Sequence, residues 1–153
     1  MIFINTSSQK IFLINSNKLI FESDISSSLY GLGCQLNSNK TPTGLHIVAS
    51  KIGHKLPAGT LFKNRIPTST IIDKIPKDNN DYITSRIIRL SGLEDGFNKG
   101  GNLDTFDRYI YIHGTPHSDK LGRPVSHGCI RMSDQNIIKL FNFIEDNELV
   151  LID

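Results

Sequence analysis

Cysteine is scarce in this chain, which has only Cys34 and Cys129 among its 153 residues. Two thiols can form one disulfide at most, and a chain of this length can bury a sufficient hydrophobic core without one. The scarcity excludes a disulfide-rich scaffold, and we expect both cysteines to be free thiols.

Long apolar runs and blocks of like charge are also missing. No stretch approaches the roughly 18 to 20 consecutive apolar residues that a membrane-spanning helix needs, and the net charge is only +2 without a basic cluster. We therefore expect no membrane span and no nucleic-acid partner. A small anionic ligand is still compatible with this charge, because one or two well-placed arginines can bind it.

The opening residues 1–8 lack the basic segment and long apolar segment of an export signal. Read as a complete chain, the sequence predicts a cytoplasmic protein; export by another route, or prior processing, would instead make it periplasmic. The composition, with 38% hydrophobic and 21% charged residues, is typical of one globular domain spanning residues 1–153.

Short runs rich in Ile, Leu, Phe and Val predict a mainly β fold. The predicted strands cover residues 2–5, 11–14, 19–22, 45–50, 83–90, 109–113 and 149–152. The polar residues 15–18 predict a hairpin turn, and Gly-, Pro- and Asn-rich connections separate the later strands. Tyr109 and Tyr111 should alternate on one strand.

One segment has a helical period. After Ser133 as a candidate N-cap, the apolar residues Ile137, Leu140, Phe141 and Ile144 fall on one face. The pattern predicts a single helix over residues 134–146, packed against the sheet near the preceding loop.

The chemically informative segment joins a strand that ends at His113 to a Gly- and Pro-rich loop that ends at Cys129. A thiol attacks a carbonyl only as thiolate, so Cys129 needs a base beside it. His113 is the better candidate because a strand end supports it rigidly and the Gly114 carbonyl could orient its ring. His127 lies only two residues before Cys129, and the sequence alone does not decide its direction. The backbone N–H groups around Gly128 and Cys129 could form an oxyanion hole.

These residues resemble a known family. The string Ser126-His127-Gly128-Cys129-Ile130-Arg131, with Ile112-His113-Gly114-Thr115 before it and Thr41-Pro42-Thr43-Gly44 far upstream, is similar to the L,D-transpeptidase (YkuD-like) catalytic domain. The resemblance covers nearly the whole chain. It implies a β-sandwich of mixed sheets with one C-terminal helix packed near the active-site loop.

The resemblance also implies the site and the reaction. Cys129 would be the nucleophile, His113 the base and Gly114 its orienting partner, while Ser126, His127 and Gly128 would shape the acyl pocket. The substrates would be tetrapeptide stems of peptidoglycan or muropeptides, with a thioester on Cys129 and release of terminal D-alanine. Carbapenems should acylate Cys129, and no cofactor or metal is implied. Arg131 and Arg86 are candidates to bind a stem carboxylate.

Several alternatives stay open at this point. The thioester could pass to water, as in an L,D-carboxypeptidase of muropeptide recycling, or to an amine, as in a cross-linking transpeptidase of the cell envelope. The domain could also be a non-catalytic peptidoglycan-binding module. A zinc site would use His113, His117, His127 and Cys129. Cys34, His46 and His54 are expected to be structural.

Overall fold

The computed structural model describes residues 1–153 and is built mainly from β-strands. The ten strands are β1 (Ile2–Asn5), β2 (Lys10–Asn15), β3 (Lys18–Asp24), β4 (Gly44–Ile52), β5 (Thr60–Lys63), β6 (Ile66–Ile71), β7 (Ile83–Gly92), β8 (Tyr111–Thr115), β9 (Ile130–Ser133) and β10 (Leu149–Ile152). One α-helix, α1, spans Asp134–Phe143. No helix is both long and apolar enough to cross a bilayer.

The strands form one continuous, mixed, ten-stranded sheet in the order β3-β2-β1-β10-β4-β7-β5-β6, and it branches at β7, where β8 and then β9 are added. The β1–β10 and β8–β9 pairs are parallel, whereas the others are antiparallel. Core residues come from β1 and β2 at one end and from β8 and β9 at the other. The sheet therefore curls around a single core, and the expected mainly β, mixed-sheet architecture is confirmed.

Two hairpins turn in the same way, although only one was predicted. Ser16 and Asn17 join β2 to β3, and Asn64 and Arg65 join β5 to β6; all four residues have positive φ. Such two-residue turns match the twist of the strands they connect. The β5–β6 hairpin was missed because β6 is exposed at nearly every position, so no apolar alternation marks it. The short strand β9 was missed as well.

Helix α1 supports the sheet beside the Cys129 loop. Ser133 caps it by accepting a hydrogen bond from the Asn136 N–H at 3.2 Å, as the sequence predicted. The helix ends at Phe143, earlier than expected, because Ile144 is already extended and buried in the core. Acidic residues at 145 and 146 would also oppose the helix dipole at that end.

The two faces of β8 and β9 have different roles. Ile112, Ile130 and Met132 point into the core that α1 covers. The alternate residues point to the other face, where Cys129 packs against a small cluster containing Tyr111. The candidate site lies on this second face. Tyr109 corrects one prediction: it precedes β8, has φ +56° and is half exposed, whereas Tyr111 is buried.

Candidate active site

The loop before Cys129 is held by side-chain hydrogen bonds. The Ser126 hydroxyl donates to the Cys129 carbonyl at 2.5 Å and accepts from the Gly128 N–H at 3.3 Å. Thr41 is fully buried and donates to the Gly128 carbonyl at 3.0 Å. Gly128 has φ +126°, a conformation that other residues rarely adopt. Ser126, Gly128 and Thr41 thus fix the loop that carries the thiol.

Cys129 is partly exposed as a residue, and its sulfur lies against the start of β8. It accepts a hydrogen bond from the Tyr111 N–H at 3.4 Å and lies 3.5 Å from the Tyr109 carbonyl oxygen, to which the S–H can donate. Tyr109 reaches this position only through its positive φ, which is unfavourable for an aromatic residue. Both cysteines are free thiols, and Cys34 is buried away from these contacts.

His113 is buried, and its tautomer is fixed. Its Nδ1 lies 2.8 Å from the Gly114 carbonyl oxygen, which can only accept, so Nδ1 carries the proton. This leaves Nε2 as the proton acceptor. Gly114 occurs here because a Cβ would lie 2.4 Å from the Thr84 carbonyl oxygen of β7.

His113 lies in β8, and Cys129 immediately precedes β9, the parallel strand beside it. His113 pairs with Arg131 in the β8–β9 register, and Cys129 precedes Arg131 by two residues, in the bend that leads into β9. Ile87, which pairs with His113 across β7, belongs to the cluster against which Cys129 packs. Because paired residues point to the same face of a sheet, both side chains lie on the side of the sheet that Ile87 occupies.

Both groups are neutral in the resting site. Burial raises the pKa of Cys129 to about 12, only partly opposed by the Tyr111 N–H. Burial also lowers the pKa of His113, although Asp81 and the Gly114 carbonyl act in the opposite direction. These shifts favour a thiol at Cys129 and a neutral imidazole at His113.

Asp81 is a site residue that the sequence did not reveal. Its carboxylate accepts from the Arg131 guanidinium at 2.8 Å and lies 3.5 Å from Nδ1 of His127. Burial alone would raise the pKa of Asp81, but attraction to His113 in its protonated form and to the Arg131 guanidinium holds it below its ordinary value. Arg131 is buried and His127 is exposed, so His127 lies on the rim.

The segment that carries Asp81 is attached through His117. Its Nε2 lies 3.2 Å from the Asn80 carbonyl oxygen, and its ring stacks on Tyr82 with the centroids 6.1 Å apart. Lys120 also donates to the Asn79 side chain at 2.8 Å. His117 therefore positions Asp81 by binding the residues on either side of it.

Arg86 does not join the site, in contrast to its predicted role. Its guanidinium donates to the carbonyls of Leu56 and Ser85 at 2.9 and 2.7 Å and lies over the Phe141 ring of α1. Arg86 is thus engaged beside the helix, away from the sulfur. The reason is a bulge in β7, where Ser85 and Arg86 are inserted between residues that pair with β8.

The four residues of the zinc alternative are not assembled as ligands. No group of three or more His, Cys, Asp or Glu side chains could hold a metal ion. His117 binds the Asn80 carbonyl, whereas His127 lies on the exposed rim. His46 is a buried structural residue, bonded to the Gly44 carbonyl and Thr105, each at 3.0 Å. His54 stacks on Phe141.

Comparison with known proteins identifies the family. The family model of the L,D-transpeptidase catalytic domain matches residues 1–152. No curated protein sequence matches the chain. Among solved structures, an L,D-transpeptidase from Mycobacterium smegmatis is similar, with 16% identity and a TM-score of 0.61 over 99% of this chain and 57% of that one.

Two further solved structures have the same fold. An L,D-transpeptidase from Enterococcus faecium is 17% identical with a TM-score of 0.61, over 99% of this chain and 48% of that one. L,D-transpeptidase 3 from Mycobacterium tuberculosis, solved with a faropenem-derived adduct, is 18% identical with a TM-score of 0.56, over 99% of this chain and 59% of that one. The chain thus spans roughly half to three-fifths of these proteins, and it belongs to the L,D-transpeptidase catalytic domain family.

Proposed function

We propose that this chain is a cysteine acyltransferase that acts on peptidoglycan tetrapeptide stems and releases terminal D-alanine. The observation that carries the proposal is the placement of both side chains on one face of the sheet, with Cys129 just before β9 and His113 in the parallel strand β8. The Gly114 carbonyl leaves Nε2 of His113 free. Membership of the L,D-transpeptidase family supports the substrate class.

The first step forms a thioester. The Cys129 sulfur attacks the carbonyl of the diamino acid while its proton passes to Nε2 of His113. The developing oxyanion can be bound by the Cys129 N–H; the Gly128 N–H is already engaged by Ser126. The C–N bond then breaks, the leaving amine of D-alanine takes the proton from His113, and the acyl group remains on sulfur.

Water is the proposed acceptor in the second step. Cys129 is only partly buried as a residue, which supports access of water to the thioester. His113 is neutral again after the first step. It takes a proton from water as hydroxide adds to the acyl carbon; the S–C bond breaks, and the sulfur recovers the proton. The product is a tripeptide, which makes this an L,D-carboxypeptidase.

Trimming of this kind suits muropeptide recycling, and we propose a cytoplasmic location. Fractionation of native cells, with antibody detection, tests the location. Recovery of the protein from the periplasm or envelope would contradict it.

Cross-linking is the second candidate, and one observation favours it. A cavity of about 270 Å³ beside Tyr109 is lined by His127 and by Asp107. Asp107 is exposed and its carboxylate has no partner within the protein, so it could hold the ammonium of an acceptor stem. Asp107→Asn should then impair dimer formation and leave hydrolysis unchanged.

One chromatographic assay tests these proposals. Purified protein is incubated with a disaccharide tetrapeptide, with and without a second stem as acceptor. Tripeptide plus D-alanine supports hydrolysis, and dimers formed faster than tripeptide support cross-linking. Cys129→Ala and His113→Gln should abolish both products, whereas Cys34→Ala should retain them as the matched control.

Intact-mass spectrometry with a carbapenem tests the nucleophile separately. A single adduct on wild type that disappears in Cys129→Ala is expected. Tight muropeptide binding by a protein that forms no adduct and no product would instead identify a non-catalytic binding module.

A further inference from the structure

An arginine that the sequence analysis passed over lies at the tip of the β5–β6 hairpin. Lys63 pairs with Ile66, so Asn64 and Arg65 form a two-residue turn with φ +49° and +67°. Arginine is unusual in this left-handed conformation, in which Asn and Gly predominate. The turn directs Arg65 towards the start of β8.

Arg65 lines a cavity beside the nucleophile. The cavity has a volume of about 450 Å³ and is lined by Asn64, Arg65, Ile83, Tyr109 and Tyr111. The Arg65 guanidinium donates to the Tyr111 hydroxyl at 3.1 Å and lies 4.6 Å from the centre of the Tyr109 ring. The backbones of these tyrosines are the groups that contact the Cys129 sulfur. The cavity that Arg65 lines therefore adjoins the backbone groups that contact the sulfur.

Arg65 differs from Arg131 and Arg108 because most of its guanidinium is not engaged by the protein. Arg131 is paired with Asp81, and Arg108 donates to the carbonyls of Gly33 and Lys40. Arg65 takes part in no ion pair and makes a single side-chain hydrogen bond within the protein, to the Tyr111 hydroxyl. Most of its five N–H donors remain available to a ligand.

Tyr111 supplies a second donor at the same place. Its oxygen accepts from Arg65, while its own O–H donates to no protein group. Burial raises the pKa of Tyr111, although Arg65 acts in the opposite direction, so the phenol keeps its proton. A guanidinium and a phenol that converge on one cavity suit a carboxylate, which accepts both.

We propose that Arg65 and Tyr111 bind a carboxylate of the acyl-donor peptide, and that Arg65 is a specificity-determining residue of the site. The inference rests on the proposed function. Two groups of the stem have this chemistry: the terminal D-alanine carboxylate and the side-chain carboxylate of a diamino acid such as diaminopimelate. Arg65 would discriminate against stems in which the bound carboxylate is amidated.

Peptide binding tests the subsite without turnover. Three tetrapeptides are titrated calorimetrically into Cys129→Ala protein: one with both carboxylates free, one with a terminal amide and one with a side-chain amide. Adding Arg65→Gln should weaken binding of the free peptide about 10- to 100-fold. For one of the two amidated peptides, Arg65→Gln should have little effect, because that peptide lacks the carboxylate that Arg65 binds. The amidated position in that peptide therefore identifies the bound carboxylate.

Matched variants separate recognition from general charge. Arg123→Gln, which removes an exposed arginine from the 121–125 segment, should not change binding. Arg65→Lys should restore part of the affinity, because it keeps the charge and loses the planar fork. Tyr111→Phe should weaken binding of the free peptide less than Arg65→Gln does.

Three results would contradict the proposed subsite. Arg65→Gln could weaken the binding of all three peptides equally, it could leave binding of the free peptide unchanged, or none of the peptides could bind. A different result concerns the proposed function. Carboxylate-dependent binding, together with no cleavage of the free peptide by wild type, would overturn the acyltransferase proposal and leave the subsite standing.

Discussion

The Asp81 carboxylate lies 2.8 Å from the Arg131 guanidinium, and Arg131 is the cross-strand neighbour of His113. A negative charge is thus held next to the imidazole of His113, the base of the proposed reaction. The same carboxylate compensates the charge of the buried Arg131, which would otherwise oppose protonation of His113. Asp81 therefore acts through its neighbours as a positioning and electrostatic residue.

Asp81→Asn should lower kcat/KM about tenfold, because one unit of pKa corresponds to about 1.4 kcal/mol of imidazolium stabilisation. The pKa of His113 falls further when the carboxylate is removed, so the acid limb of the pH–rate profile should move to lower pH. Asp119→Asn makes the same charge change at an exposed position and should leave the profile unchanged. An unshifted acid limb in Asp81→Asn would contradict this role.

The pH dependence of Cys129 alkylation should show whether Cys129 and His113 are neutral in the free protein. Since burial raises the thiol pKa to about 12, the thiolate fraction should grow about tenfold per pH unit between pH 7 and 10. The iodoacetamide rate at Cys129, followed by peptide mass spectrometry, should rise accordingly without a plateau. A rate that is already constant below pH 8 would indicate a preformed thiolate–imidazolium pair instead.

Gly114→Ala should damage both stability and activity. The added Cβ would lie 2.4 Å from the Thr84 carbonyl oxygen and 2.7 Å from the Asp134 carboxylate, so β8 must move away from β7 and α1. We expect about 1–3 kcal/mol of destabilisation in urea unfolding. Activity should fall as well, because the carbonyl that orients His113 moves with the strand.

Gly96→Ala is the comparison for that experiment. Its Cβ would meet nothing within 4 Å, and only the positive φ of +72° opposes it, which costs about 1 kcal/mol. Its activity should match that of wild type. Equal urea midpoints for Gly114→Ala and wild type would show that the close contact of the added Cβ with the Thr84 carbonyl does not destabilise the fold.

The sequence predicted the strands that bury apolar residues and missed those that do not. The strands Ile2–Asn5 and Ile83–Gly92 contain buried apolar residues and were predicted. The strand Ile66–Ile71 is exposed, contains Pro67 and was not predicted. An exposed hairpin has no hydrophobic period from which it can be predicted.

The same limit applies to the site. His113 and Cys129 were identifiable because glycines and a strand end accompany them in the sequence. Asp81 and Arg65 act through contacts with residues distant in the chain, Arg131 and Tyr111, and each lies in a stretch that reads as an ordinary polar turn. The position of Arg86 beside the helix could not be predicted, because a bulge in β7 cannot be read from its residue types.

His46 should make stability depend on pH between about 4 and 6.5. Burial lowers its pKa to about 4, with the Gly44 carbonyl and Glu94 in weak opposition, so the folded protein favours the neutral ring. Its stabilisation is present above the unfolded pKa of about 6.5 and is lost as the pH falls through the folded pKa. The lost free energy of unfolding is on the order of 3 kcal/mol.

His46→Gln isolates this contribution from the other groups that titrate in the same range. Urea unfolding is measured at pH 7 and pH 4.5 for both proteins. The drop in free energy of unfolding should be smaller in the variant by about 2–3 kcal/mol. An equal drop in both would mean that His46 accepts a proton in the folded state without cost, which its full burial and its bond to Thr105 argue against.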